Sequence, residues 1–335
     1  MRQPTSRSSS WIAVAGLVAA ISFVSPKVLA DQLVVVTSTR ASPPGGPAVT
    51  IRTLVRPPQF RPPIIVPLVP RAIVVLLPGA DGWLDIDSAD PANAVPRRLL
   101  GNFLVRTREG LSGQAVLTVL VDAPSDRQND TGMSGGFRTS DDHARDLTAI
   151  ISYFRPKLVG GNVVIGGVNY GADAINSPVV VVGSSAGTTS AVLAAIRPLP
   201  PPLPLIFPGG NPDVGGVVLT SSVTTGPTNI GSLPFTAINR PVLFVHHVND
   251  GCIYSKYRNA TEAAYSMMQA SIKVSFTEIT GTPIGPVDPA DPDPSANPDP
   301  CGAPGSMGYL LHGFNGAGTA ALDAIQRWII VTLKR

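Results

Sequence analysis

Ser185 is the residue around which chemistry can be built. It is the middle residue of Gly183-Ser184-Ser185-Ala186-Gly187, which follows Val179-Val-Val-Val182 and precedes a run of small residues ending at Ile196. An unbroken β-branched run reads as a central parallel strand covered on both faces. The small-residue run reads as a helix. Between such a strand and helix, a G-x-S-x-G turn lifts one serine hydroxyl above the sheet edge, and the flanking positions are glycine because side chains would clash there. That spacing selects Ser185, not Ser184, as the candidate nucleophile. The bland alternative is a Gly/Ser-rich connection, and what separates the two is whether an acid and a histidine follow.

A serine hydroxyl is a poor nucleophile near neutral pH and needs a base, itself oriented by a third group. The chain has four histidines. His143 falls inside an expected helix ahead of the serine strand and reads as a surface or packing residue. His246 and His247 end an apolar strand beginning at Pro241, where one is expected to pack inward and the other to face a loop. His312, in Leu310-Leu-His-Gly-Phe-Asn-Gly316, follows the last expected strand on a flexible, glycine-flanked connection that could swing its imidazole over the sheet edge, and it is the best base candidate. Asp250, just past the strand that ends at His246, falls on the same carboxyl-end edge as Ser185 and is the acid candidate.

The elements that must position these residues are legible as a pattern. Asp31 to Thr39 and Ala48 to Val55 read as an antiparallel pair around the turn at Pro43 to Gly46. Buried-type strands are expected at Ala72 to Leu77 and Ala115 to Val121, with a crossover helix near Asn102 to Arg108. A capped helix is expected from Asp142 to Phe154, starting at Ser140 or Asp141. Further strands are Gly216 to Thr220, Pro241 to His246 and Ile272 to Ile279, and a final helix runs from Gly318 to Leu333. Alternating strands and helices in this order imply a mostly parallel sheet with helices on both faces. Three stretches interrupt it: Val159 to Ser177, whose Gly166-Gly167 suits a small hairpin; Pro198 to Pro212; and the Asp-Pro run at Pro283 to Pro300. Asp288, Asp291, Asp293 and Asp299 in that run lack the glycine turn and terminal acid of a calcium loop and read as a solvated loop.

The elbow, together with the order Ser185, Asp250, His312, resembles the α/β-hydrolase superfamily, in particular exported bacterial serine hydrolases. Four loops carry the likeness besides the elbow: Leu77-Pro-Gly-Ala-Asp-Gly82, Asp122-Ala-Pro-Ser-Asp-Arg127, His246-His-Val-Asn-Asp-Gly-Cys252 and His312-Gly-Phe. The resemblance implies an α/β-hydrolase fold with a mostly parallel central sheet. It also implies an oxyanion hole made by the amides of Ala186 and Ala80, with Gly79 or Asp81 as alternatives to the latter. About twenty residues separate Thr220 from Arg240, too few for a large lid domain. Asp122, Ser125, Asp126 and Arg127 follow a strand end and read as a structural turn with an Asp-Arg pair.

Composition bounds the rest. Arg2 and Arg7, the apolar run Trp11 to Val24 and Val28-Leu-Ala30 read as a secretory leader cut after Ala30, leaving residues 31–335 as one α/β-hydrolase domain with the Asp-Pro insert near 283–300. The protein is then exported, to the periplasm or the exterior, with no stable membrane anchor. The full chain has 25 basic and 22 acidic side chains. Arg2, Arg7 and Lys27 lie in the leader, so the remainder is neutral and carries no global field for nucleic acid. In an exported protein Cys252 and Cys301 read as a disulfide, tying the acid's loop to the base's loop. No phosphate loop or metal-ligand cluster appears in the pattern, so neither cofactor nor metal is expected. The leading reading is a serine hydrolase cleaving an ester or related acyl bond of a small-molecule or acyl substrate through an acyl-enzyme. A peptidase or thioesterase would use the same three residues, and a binding or cell-envelope protein on the same fold is the alternative from another class.

Overall fold

The computed structural model describes residues 31–333, apart from 42–45, 60–68, 197–209, 282–300 and 302–306 and the single positions 88, 92, 114, 135 and 271. The stretch read as a leader, most of the proline-rich stretches and the Asp-Pro run therefore lie outside the described residues. In chain order the elements are β1 (Gln32–Thr37), β2 (Thr50–Arg56), β3 (Ala72–Leu77), α1 (Phe103–Ser112), β4 (Val116–Pro124), α2 (Asp141–Phe154), β5 (Lys157–Val159), β6 (Asn162–Ile165) and β7 (Val168–Tyr170). They continue with β8 (Val179–Ser184), α3 (Gly187–Ile196), β9 (Gly216–Thr220), β10 (Val242–His247), α4 (Tyr257–Gln269), β11 (Val274–Ile279), α5 (Met307–His312) and α6 (Gly318–Thr332).

Eight strands form one sheet in the order β1-β2-β4-β3-β8-β9-β10-β11. The β1/β2 and β2/β4 pairs are antiparallel, and every pair from β4 to β11 is parallel. The uniform apolar runs are explained by burial on both faces. Along β3, Ile73, Val75 and Leu77 enter one core, while Ala72, Val74 and Leu76 enter the other. In β8, Val179 and Val181 face the first core and Val180 and Val182 the second. The period-2 alternation is still present; apolar layers on both sides hide it from a hydropathy reading. The first core is closed by α2, α3 and α4 through Leu147, Ile150, Phe154, Leu193 and Met267. The second is closed by α1 and α6 through Phe103, Leu104, Ile325, Trp328 and Ile329.

α2 starts where Ser140, rather than Asp141, accepts a hydrogen bond from the His143 amide at 3.2 Å, and Asp141 and Asp142 stand in the first turn, where the helix dipole favours negative charge. A three-stranded antiparallel sheet, β5-β6-β7, occupies residues 157–170 and overlaps the stretch from Val159 to Ser177, with one strand more than the hairpin expected. Its two turns are Gly160-Gly161 and Gly166-Gly167, all four at positive φ, as tight hairpin turns of the I′ kind require. Val163 and Ile165 tie the small sheet to the main core.

One strand differs from the sequence reading. β4 runs on to Pro124, so Asp122 is inside a strand and buried rather than at the start of a rim loop. Its Oδ1 accepts from the amides of Leu84 at 2.6 Å and Ala123 at 2.8 Å, which fastens the chain after β3 to the sheet. Asp126 pairs with Arg40, which reaches both of its carboxylate oxygens, more closely than with Arg127 at 3.9 Å.

Burial pushes the Asp122 carboxyl up to about 6, against the opposing backbone hydrogen bonds. The folded form therefore holds a proton that the unfolded chain has released, and the stability associated with it is lost as pH rises from about 4 to about 6. At about 1.4 kcal/mol per unit over about two units, the effect is about 3 kcal/mol. Asp122→Asn is expected to flatten that part of the stability profile. Urea titrations of both proteins at several pH values between 4 and 7 check it, and parallel profiles would contradict it.

Candidate active site

Register places three strand ends together. Leu77 of β3 pairs with Gly183 of β8, Ser184 with Thr220 of β9, and Thr220 with Val245 of β10. The loops leaving β3, β8 and β10 therefore emerge at one edge, the carboxyl edge of the parallel strands, where α/β sheets place their sites.

Ser185 is half-buried at the turn between β8 and α3 and has φ of 53°. A non-glycine residue in this region is sparsely populated and persists only when its surroundings hold it. Here the Ser185 amide donates to Thr220 O at 3.0 Å, and the Ser185 carbonyl accepts from the Thr188 amide at 2.9 Å and the Thr188 hydroxyl at 2.6 Å. The backbone is fully engaged and the hydroxyl is not needed for the turn. Both motif glycines are required by approach: a Cβ on Gly183 would run into Gly187 O, and one on Gly187 into Leu77 O. The loop after β3 lies directly against the serine, since a Cβ on Gly79 would fall 2.7 Å from Ser185 Cβ and 3.3 Å from its Oγ. Ala80 next to it also has positive φ, 49°, and is exposed. Thus Ser185, Ala186 and the Gly79-Ala80 segment are brought to one place.

His312 and Asp250 meet across 62 residues of chain. His312 Nδ1 is 3.0 Å from Asp250 Oδ2, with both side chains buried. Burial alone would raise the Asp250 pKa, but the hydrogen bond and charge of His312, with smaller help from His246 and the Cys252 amide, outweigh it and hold the carboxyl below its ordinary value. His312 is not on a flexible loop as the glycines suggested. It is the last residue of α5, its carbonyl accepts from Ser221 Oγ at 2.5 Å, and Arg106 Nη2 donates to the next carbonyl, that of Gly313. The glycine follows a helix end instead of making a hinge. Ser221 adjoins Thr220, so the backbone that holds the serine elbow also holds the histidine.

Ser255 is a member of the cluster that the sequence did not disclose. Its Oγ is 2.9 Å from Asp250 Oδ2 and 2.8 Å from His312 Nδ1. The hydroxyl can donate to the carboxylate while the Nδ1–H is shared between both oxygens. Such an arrangement fixes the tautomer with the proton on Nδ1 and gives Nε2 the basic lone pair. The only signal in the chain is a serine five residues after the acid, which is too common to select.

The remaining histidines are placed elsewhere. His246 is buried, with Nδ1 3.9 Å from Asp250 Oδ2, beyond hydrogen-bond reach, and burial pushes its pKa down to about 4. His247, also buried, accepts from the Asn249 amide at Nδ1 and donates from Nε2 to Gly281 O at 3.1 Å. His143 is a packing residue, fully enclosed and joined to Ser190 Oγ at 2.9 Å.

Cys252 and Cys301 are joined by a disulfide. Their sulfurs and a ring nitrogen of His312 lie within 4.8 Å of one another, and the Cys252 amide donates to Asp250 Oδ1 at 2.9 Å. With the sulfurs spent on each other the group offers no thiolates to a metal. The bond closes a separation of 49 residues, which the chain-entropy model values at about 4 kcal/mol. Reduction is expected to lower turnover before it unfolds the sheet, because the crosslink holds the acid and base loops and lies outside the strands. Far-UV circular dichroism that survives reduction while hydrolysis falls severalfold fits this; a Cys252→Ser, Cys301→Ser double variant with the parent rate would contradict it.

No family model matches the chain, and no curated protein matches it in sequence. Solved structures do resemble it in fold. Esterase 2 of Thermogutta terrifontis with bound propionate superposes with TM-score 0.50 at 12% identity, covering 91% of this chain and 95% of that one. The same esterase phosphoramylated by tabun gives 0.51 at 13% identity, over 91% and 96%. A puromycin-hydrolysing peptidase of Mycobacterium tuberculosis gives 0.51 at 12% identity, covering 90% of this chain and 40% of the other. The chain has an α/β-hydrolase fold. The segment from Thr220 to Val242 holds only two short 3-10 turns, so no large lid stands there. Among the described residues, no helix is long and apolar enough to cross a membrane.

Proposed function

We propose that the protein is an exported serine hydrolase that cleaves an ester or related acyl bond through an acyl-enzyme formed on Ser185. The observation that carries this reading is the convergence, at one sheet edge, of a serine on a positive-φ elbow with a buried His312–Asp250 pair from two distant segments. In the reaction, His312 Nε2 takes the proton from Ser185 Oγ as the hydroxyl attacks the acyl carbonyl. Asp250, with Ser255, keeps the other proton on Nδ1 and stabilises the imidazolium that forms. The amides of Ala186 and Ala80 receive the negative charge that develops on the carbonyl oxygen. His312 then protonates the leaving group, and a water activated by the same nitrogen releases the acid.

The fold neighbours support acyl chemistry of both kinds, since one is an esterase and another a peptidase. The test is a series of p-nitrophenyl esters of increasing chain length, with aminoacyl-p-nitroanilides alongside, on the protein and its Ser185→Ala variant. Ser185-dependent hydrolysis of the esters supports the reading, and the series shows which acyl length is preferred. Hydrolysis confined to the anilides would move it to a peptidase, and hydrolysis of neither would remove it.

A further inference from the structure

Among the described residues, Arg138 is the largest side chain that is fully enclosed, at 2% exposure, and no carboxylate lies within ion-pair distance of it. It stands on the 3-10 turn Phe137–Thr139 that leads into α2. A buried cation with no bonded counter-charge is costly, so its partners indicate what it is for. The two N–H groups of Nη2 are shared among three consecutive carbonyls, Pro78 O at 3.0 Å, Gly79 O at 3.3 Å and Ala80 O at 3.0 Å. Nη1 donates to Ser190 Oγ at 2.8 Å, on the helix that starts at the Ser185 elbow. Ser190 Oγ is also within hydrogen-bond distance of His143 Nε2, at 2.9 Å.

In a trans peptide the C=O and the following N–H point in opposite directions. Three successive carbonyls drawn to one guanidinium therefore turn the amides of Gly79, Ala80 and Asp81 to the opposite side of the loop. Gly79 lies against Ser185. We infer that Arg138 is a positioning residue for the oxyanion site: its fork holds the β3 loop in the strained turn at Ala80, ties that loop to the nucleophile's helix, and places a positive charge behind the amides. The inference rests on the hydrolase reading proposed above. Burial lowers the Arg138 pKa to about 10, against the attraction of Asp81, so the charge persists at neutral pH. Lysine would keep the charge but lose the fork, and methionine would lose both.

The experiment measures kcat and KM on a short p-nitrophenyl ester for the parent and the Ser185→Ala, Arg138→Lys, Arg138→Met and Ser190→Ala variants. Each rate is expressed per active site titrated with a fluorophosphonate, except that of Ser185→Ala, which is expressed per folded chain. The expected result is a kcat about 10-fold to 100-fold lower in Arg138→Lys and about 100-fold to 1000-fold lower in Arg138→Met, the size of effect that loss of an oxyanion donor has elsewhere. KM should stay within about twofold, and a boronic acid analogue of the tetrahedral intermediate should weaken by the same factor as kcat/KM falls. Ser190→Ala should lose about threefold to tenfold in kcat alone.

A folded Arg138 variant with the parent's kcat per titrated site, or one whose loss lies wholly in KM, overturns the inference. If neither Arg138 variant folds, Ser190→Ala decides, and a parental kcat there overturns it too. A parent with no Ser185-dependent hydrolysis removes the underlying reading instead, which is a separable result.

Discussion

Ser185→Ala is expected to lower kcat for ester hydrolysis by at least about 10⁴-fold, in line with nucleophile removal in serine hydrolases generally. It should change stability by less than about 1 kcal/mol. The large effect follows because no other group at the elbow can form the acyl-enzyme. The small one follows because the hydroxyl holds nothing: Thr220 and Thr188 engage the backbone of Ser185, and those bonds remain in the variant. Alanine also tolerates the positive φ about as well as serine does. Ser184→Ala is the control. Ser184 is buried at the end of β8 and points away from the elbow's tip by the alternation of a strand, so its variant should keep hydrolysis within about threefold. Steady-state kinetics with a thermal melt on each variant checks both statements, and equal losses in the two would refute the placement of the nucleophile.

His312→Gln is expected to cost about 10⁴-fold in kcat, because glutamine can fill the space and hydrogen-bond to Asp250 but cannot take the serine proton. It should also change acid stability. Asp250 is held below its ordinary value chiefly by His312, so the stability it contributes is fully present above about pH 4 and is lost as pH falls through the lower folded-state value. Removing the imidazole weakens that hold, and the variant should unfold at a higher pH on acid titration than the parent. His246→Gln and His247→Gln should retain hydrolysis per folded molecule, since the first is out of hydrogen-bond reach of the acid and the second is committed to Asn249 and Gly281. A dead His246→Gln with an active His312→Gln would reverse the assignment.

The parts of this site that are legible in the sequence are those set by local geometry or by chain order. The elbow is a five-residue pattern between a β-branched strand and a small-residue helix, and every part of it is near in sequence. Asp250 and His312 are distant from Ser185, yet each follows a strand or helix whose end falls on the same edge once the sheet is known to be parallel. Ser255 and Arg138 escape that logic because their partners are fixed only by packing. Arg138 reads as one more charged residue in a polar turn, and nothing local tells that the turn folds under the β3 loop. Asp122 misleads for a related reason: an aspartate before Ala-Pro-Ser looks like a turn, whereas amides brought by Leu84 and Ala123 let the strand continue through it. The glycines around His312 likewise read as freedom, and in the structure they follow a helix end whose carbonyls are tied by Ser221 and Arg106.

The central claim, that Ser185 is the activated nucleophile of this fold, is tested most directly by covalent labelling of the oxidised, folded protein with a fluorophosphonate, followed by peptide mass spectrometry. The expected result is one adduct per chain, on Ser185, absent in Ser185→Ala and strongly slowed in His312→Gln. An adduct on Ser184, Ser221 or Ser255, or a folded protein that takes up no label, would contradict it.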